Sequence, residues 1–78
     1  MAEHFHVLTH RGDARPEVDR VLAELKRAHG PDAPTGFHKY LFVTKAESTV
    51  VMVDGPDAPV ARALRARGRW QEPGIRPS

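Results

Sequence analysis

The pentapeptide Gly-Pro-Asp-Ala-Pro occurs twice in the chain, at residues 30–34 and 55–59. Proline lacks a backbone N–H and is excluded from helix interiors and central strands, and glycine readily ends either element. Each copy therefore predicts the end of one element of secondary structure. The residues around the two copies differ, so the pentapeptide indicates two boundaries rather than an internal repeat.

The first segment combines a strand-like stretch with a helical one. Residues 4–9 alternate in a way that predicts Phe5 and Val7 facing the helices. The face turned away then carries His4, His6 and Leu8. Apolar residues recur at three- and four-residue spacing over residues 16–29, which predicts an amphipathic helix that ends at Gly30.

The later segments predict a hairpin followed by a second helix. Residues 37–44 and 48–54 are rich in β-branched and aromatic side chains, and the three residues between them are typical of a hairpin turn. The second helix begins after the second pentapeptide, with Asp57 as its predicted cap. Residues 69–72 are predicted either as a short last strand or as an irregular end.

The order of elements is therefore β-α-β-β-α, with or without a final strand. It predicts an α+β, ferredoxin-like sandwich in which two helices cover one face of an antiparallel sheet. A right-handed crossover would place the first strand beside the third. We expect a single small domain over residues 1–72 and a flexible C-terminal tail over residues 73–78.

Composition narrows the class of protein. The 78 residues include no cysteine, so neither disulfides nor thiolate metal sites stabilise the fold, and one compact core must do so. No apolar run approaches the roughly 20 residues that span a bilayer, and the N-terminus does not resemble a signal peptide. The sequence therefore predicts a cytoplasmic location, no membrane partner and no cofactor.

The sheet face without helices is the first candidate surface. In the second strand, Leu41 and Val43 are predicted to face the helices, which leaves His38, Tyr40 and Phe42 outward. A small monomer seldom leaves such a patch bare, so the pattern favours a homodimer packed sheet to sheet. The predicted interface or ligand face comprises His4, His6, His38, Tyr40 and Phe42.

Positive charge is concentrated at the C-terminal end. Residues 1–60 hold seven Lys/Arg and nine Asp/Glu, whereas residues 61–78 hold five Arg and one Glu. Guanidinium groups suit phosphates and carboxylates, so the pattern favours an anionic partner, either nucleic acid or an acidic protein surface. The predicted contact residues are Lys39, Tyr40, Arg62, Arg65, Arg67 and Arg69.

Non-catalytic binding is the favoured function class, because no nucleophile has a recognisable catalytic context. The alternative is an accessory protein or a small-ligand-binding or enzymatic dimer, with a His- and Tyr-lined pocket on the open sheet face. His4 could join His6 and His38 in a three-nitrogen zinc site. If Met1 is removed, His4 as third residue could instead complete a square-planar Cu(II) or Ni(II) site with the free amine and two backbone amides.

Overall fold

A computed structural model describes residues 5–73 of the chain. Three strands and two helices follow one another in the predicted order, and the predicted α+β class is confirmed. The elements are β1 (His6–Arg11), α1 (Arg15–His29), β2 (Phe37–Val43), β3 (Ser48–Val53) and α2 (Pro59–Ala66). Neither helix in this part of the chain is long and apolar enough to cross a bilayer.

The three strands form one antiparallel sheet in the order β1-β3-β2. The first strand lies beside the third, as the crossover rule predicts. A four-residue turn over residues 44–47 joins β2 to β3, and the turn ends at Glu47, whose φ of 49° lies in the left-handed region. Beyond β1, residue Gln71 forms an isolated antiparallel bridge with Thr9, which is all that the described chain forms of a fourth strand.

The hydrophobic core lies between the sheet and the two helices. Both helices contribute to it through the apolar stripes that the sequence predicts, since Val18 and Val21 of α1 and Leu64 of α2 are fully buried. Leu8 and Val51 meet them from the sheet. Removing this apolar surface from water is the main favourable contribution to folding.

The predicted orientation of β1 is wrong. His6 and Leu8 are buried, with exposures of 6% and 0%, whereas Val7 is only half-buried. His6 and Leu8 therefore lie on the helix-covered face and Val7 on the open face. The physical reason is that both alternating sets of this strand contain apolar side chains, so the period of two cannot identify the inner face.

The predicted orientation of β2 is also wrong, because the strand contains a bulge. The pairing shifts between Phe37 and Lys39, so one extra residue is accommodated near His38. Beyond the bulge, Tyr40 pairs with buried Val51 and lies on the helix-covered face. Phe42, two residues after Tyr40, lies on the same face, and exposed Leu41 lies on the opposite face.

The two pentapeptides meet in space. The loop that contains the first copy runs beside the second copy, where the Thr35 carbonyl accepts the N–H of Val60 in the first turn of α2 at 3.0 Å. This backbone contact takes the place of the predicted Asp57 cap, which forms no capping hydrogen bond. Gly36 has a φ of +77°, and a Cβ there would overlap the Cβ of Ala58, so only glycine permits this approach.

The start of α1 is attached to β3 through a buried threonine. The Thr49 hydroxyl accepts the N–H of Ala14 at 2.7 Å and donates to the carbonyl of Gly12 at 2.8 Å. Thr49 has no exposed surface. Ala14 is the N-cap residue of the helix, while Asp13, one position earlier, accepts the N–H of Arg15 at 3.1 Å.

We predict that Thr49→Val lowers the free energy of unfolding by about 1–3 kcal/mol, because the buried Ala14 N–H and the Gly12 carbonyl lose their partner. Thr49→Ser is the matched control, since it keeps the hydroxyl and loses one methyl group, at a cost of about 0.8 kcal/mol. Urea denaturation measures both. A Val variant as stable as the Ser variant would show that the hydroxyl is not the important group.

Candidate anion-binding site

The arginines that the sequence groups together have different surroundings in the structure. Arg65 donates two hydrogen bonds of 2.7 Å to Glu72, one from Nε to Oε2 and one from a terminal nitrogen to Oε1. The same terminal nitrogen donates to the Pro56 carbonyl at 3.0 Å. Two-point pairing of this kind fixes the guanidinium plane. Arg65 therefore holds the C-terminal segment in place and has little capacity left for an external anion.

Glu72 is the centre of this network. Its Oε1 also accepts a hydrogen bond from Nε2 of His6 at 2.5 Å. The hydrogen bonds from Arg65, and then from His6, lower the pKa of Glu72 from 4.5 to about 2. Burial of His6 against Glu72 removes this imidazole from the predicted ligand face.

Carboxylates partly neutralise the charge of Arg67, but within residues 5–73 they form no salt bridge with two other arginines on the same side of the molecule. Arg67 lies 3.2 Å from a carboxylate oxygen of Glu24 and 4.0 Å from one of Glu17. Arg69 and Arg20 are exposed and form no salt bridge among residues 5–73. Free positive charge thus lies where α1 passes the chain that follows α2.

These side chains line a surface cleft of about 530 Å³. Its charged and titratable lining residues are His10, Asp13, Glu17, Arg20, Arg67 and Arg69. Asp13 is already paired with Arg15, whose guanidinium hydrogen bonds lower the pKa of Asp13 to about 2. The cleft therefore carries an excess of guanidinium groups, and such groups bind phosphate or carboxylate.

The N-terminus of α1 borders the cleft but has few free donors. The Ala14 N–H is used by Thr49 and the Arg15 N–H by Asp13, and Pro16 has none. The groups at this location that could contact an anion are consequently side-chain guanidinium groups and not the helix terminus.

Two predicted contact residues lie elsewhere. Tyr40 donates its hydroxyl to Asp19 of α1 at 3.0 Å, and this hydrogen bond raises the pKa of Tyr40. Lys39 pairs in register with Met52 and lies on the open face. The guanidinium carbon of Arg15 lies over the ring of Phe42, 5.3 Å from the ring centroid. The predicted outward face of His38, Tyr40 and Phe42 is therefore not assembled, because Tyr40 and Phe42 pack toward α1.

The open sheet face is apolar instead of aromatic. Leu41 is 42% exposed, and it shares this face with half-buried apolar side chains from all three strands. These side chains belong to Val7, Val43, Val50 and Met52. At one end of the molecule, His38 stacks on Phe5 with ring centroids 4.5 Å apart.

The predicted metal sites depend on His4, which lies outside the described residues. The three-histidine site also required His6 and His38 to share a face, but His6 is buried against Glu72 and His38 is exposed beside Phe5. No group of three metal-ligating side chains occurs within residues 5–73.

Sequence reasoning missed Arg20 and His10. Arg20 follows Glu17 by three residues and precedes Glu24 by four, so a helical projection would have placed all three on one side of α1. His10 carries no such signal. Its position became evident only with its contact to Trp70, where the ring centroids are 4.9 Å apart.

Comparison with known proteins adds no assignment to this geometry. We compared the chain with protein-family models, with curated proteins and with solved structures, and none of the three comparisons finds a match.

We predict that Glu72 makes stability depend on pH in the acid range. A lowered pKa in the folded state means that the stabilisation is complete above about pH 4.5 and is lost as the pH falls toward 2. The difference in unfolding free energy between the natural chain and Glu72→Gln should therefore be constant above pH 4.5 and shrink below it. Urea titrations at a series of pH values measure this difference, and a difference independent of pH would contradict the assignment.

Proposed function

We propose that this chain is a small non-catalytic binding module for an anionic, phosphate-bearing partner, of which nucleic acid is the first class to test. The observation that supports it best is that Arg20 and Arg69, which form no salt bridge within residues 5–73, line one cleft beside Arg67. Planar guanidinium groups offer several N–H donors and form bidentate contacts with phosphate oxygens. Binding is favoured over catalysis because the two carboxylates of the lining, Asp13 and Glu17, already face the guanidinium groups of Arg15 and Arg67.

The proposal includes a ferredoxin-like fold. The antiparallel order β1-β3-β2 supports it, and so does the bridge from Thr9 to Gln71, at the position where a fourth strand would extend the sheet. A cytoplasmic location, tested by cell fractionation, is part of the same proposal.

The test is binding of a fluorescent single-stranded oligonucleotide that carries a 5′-phosphate, followed by anisotropy. With two or three phosphate contacts, the affinity should fall about tenfold between roughly 50 and 200 mM salt. The double variant Arg20→Gln/Arg69→Gln should bind several-fold more weakly and should show a smaller salt dependence.

Arg62→Gln is the matched control. Arg62 is an exposed arginine of α2 that does not line the cleft, so the same change of charge should leave binding nearly unaltered. If polyglutamate competes as well as the oligonucleotide does, the partner is an acidic protein surface. Binding that does not respond to salt or to the double variant would refute the proposed function.

A second candidate function is self-association through the open sheet face. The centre of this face, around Leu41, is apolar and Lys39 lies beside it, and a two-fold interface requires one surface to complement itself. Three strands about 4.8 Å apart and six residues long cover roughly 300 Å², well below the roughly 800 Å² per partner of a stable interface. A dimer formed by this face alone would therefore be weak.

We predict that Leu41→Asp weakens such a dimer at least tenfold, since it places a charge in an apolar interface. Thr44→Asp is the control, because Thr44 is exposed in the turn between β2 and β3. Sedimentation equilibrium over a range of concentrations measures both variants. A natural chain that stays monomeric at millimolar concentration would exclude the dimer.

A further inference from the structure

We infer that the cleft lined by Arg20, Arg67 and Arg69 binds a terminal phosphate monoester and not the internal phosphodiesters of a polymer. This inference rests on the proposed function, since it names the ligand class of the same site. The lining supplies three guanidinium groups from two parts of the chain, one from α1 and two from the segment after α2.

The guanidinium groups of the cleft that form no salt bridge within residues 5–73 favour a monoester. Arg67 has carboxylate neighbours in Glu24 and Glu17, and Asp13 in the lining is already paired with Arg15. Two positive charges, those of Arg20 and Arg69, are left without a partner among residues 5–73. A phosphate monoester carries a charge of about −1.5 to −2 at neutral pH, whereas a diester carries a single charge. A monoester also has three unsubstituted acceptor oxygens, so it can form charge-assisted hydrogen bonds to Arg20 and Arg69 at the same time.

Carboxylates at the border of the cleft disfavour a continuous polymer. Carboxylates lie among the guanidinium groups, with Asp13 and Glu17 in the lining and Glu24 beside Arg67. A strand of nucleic acid that continued beyond the cleft in both directions would bring further phosphates near these carboxylates and would be repelled. A terminal or isolated phosphate meets only the carboxylates of the lining itself, Asp13 and Glu17, and brings no further phosphates to the border.

Parts of the cleft are held in position before a ligand binds. The Arg67 side chain donates one hydrogen bond to Glu24 of α1 at 3.2 Å, which restricts its guanidinium before a ligand arrives. The Trp70 side chain, between Arg69 and the Gln71 bridge, is 8% exposed and anchors the backbone next to Arg69. Groups that are already in position lose less conformational freedom on binding.

The experiment is a pair of NMR titrations of the full chain, with methyl phosphate and dimethyl phosphate as probes, at about pH 8 and constant ionic strength. Near this pH the monoester is a dianion, because its second pKa is about 6. We expect methyl phosphate to bind at least fivefold more tightly and to shift the amide signals of residues 10–20 and 67–70. Arg20→Gln and Arg69→Gln should each weaken this binding about fivefold or more, whereas Arg62→Gln should not.

Glu17→Gln provides a readout that a general loss of structure would not produce. It removes a carboxylate from the lining, so methyl phosphate should bind more tightly than it binds the natural chain. Equal affinity for the two probes, or binding unaffected by Arg20→Gln and Arg69→Gln, would overturn the inference.

A single-stranded oligonucleotide with a 5′-hydroxyl separates this inference from the proposed function. If it binds as tightly as the 5′-phosphorylated form and depends on Arg20 and Arg69, the monoester inference is wrong and the proposed function stands. If neither oligonucleotide binds and methyl phosphate does not bind, both fail. If only the phosphorylated ligands bind, both are supported.

Discussion

The position of α1 depends on the hydroxyl group of Thr49. This one side chain contacts backbone groups on both sides of the turn between β1 and α1, so it sets where the helix begins relative to the sheet. A buried hydroxyl that lost either partner would carry a desolvation penalty, which makes the arrangement specific as well as favourable. Because Glu17 and Arg20 follow within two turns, Thr49 also sets the location of the cleft.

The order of elements was predictable from the sequence, and the inward-facing residues were not. Helix periodicity identifies α1 because Val18 and Val21 recur at helical spacing against a polar background. Alternation fails in β1, where apolar residues occupy both faces. It fails again in β2, because beyond the bulge near His38 each residue lies on the face opposite to the predicted one. No residue type in that strand indicates a bulge.

The candidate site illustrates a related limit. A cluster of arginines in the sequence indicates an excess of positive charge, but the carboxylates that neutralise some of them come from distant positions. Arg67 meets Glu24, 43 residues away in the chain, and Glu72 removes Arg65 from the set while joining it to His6. Which cations stay available is therefore decided by tertiary packing, and only Arg67 and Arg69 of the predicted contact residues line the cleft.

The C-terminal segment connects these observations. Glu72 forms its hydrogen bonds with His6 of β1 and with Arg65 of α2, and Gln71 exchanges two backbone hydrogen bonds of 2.8 Å with Thr9. These contacts hold buried Trp70 in place, and Trp70 immediately follows Arg69. Arg65, which is engaged in this network, thus helps to position Arg69, which forms no salt bridge within residues 5–73. If the cleft binds the proposed ligand, loss of Arg65 should weaken that binding indirectly, through the placement of Arg69.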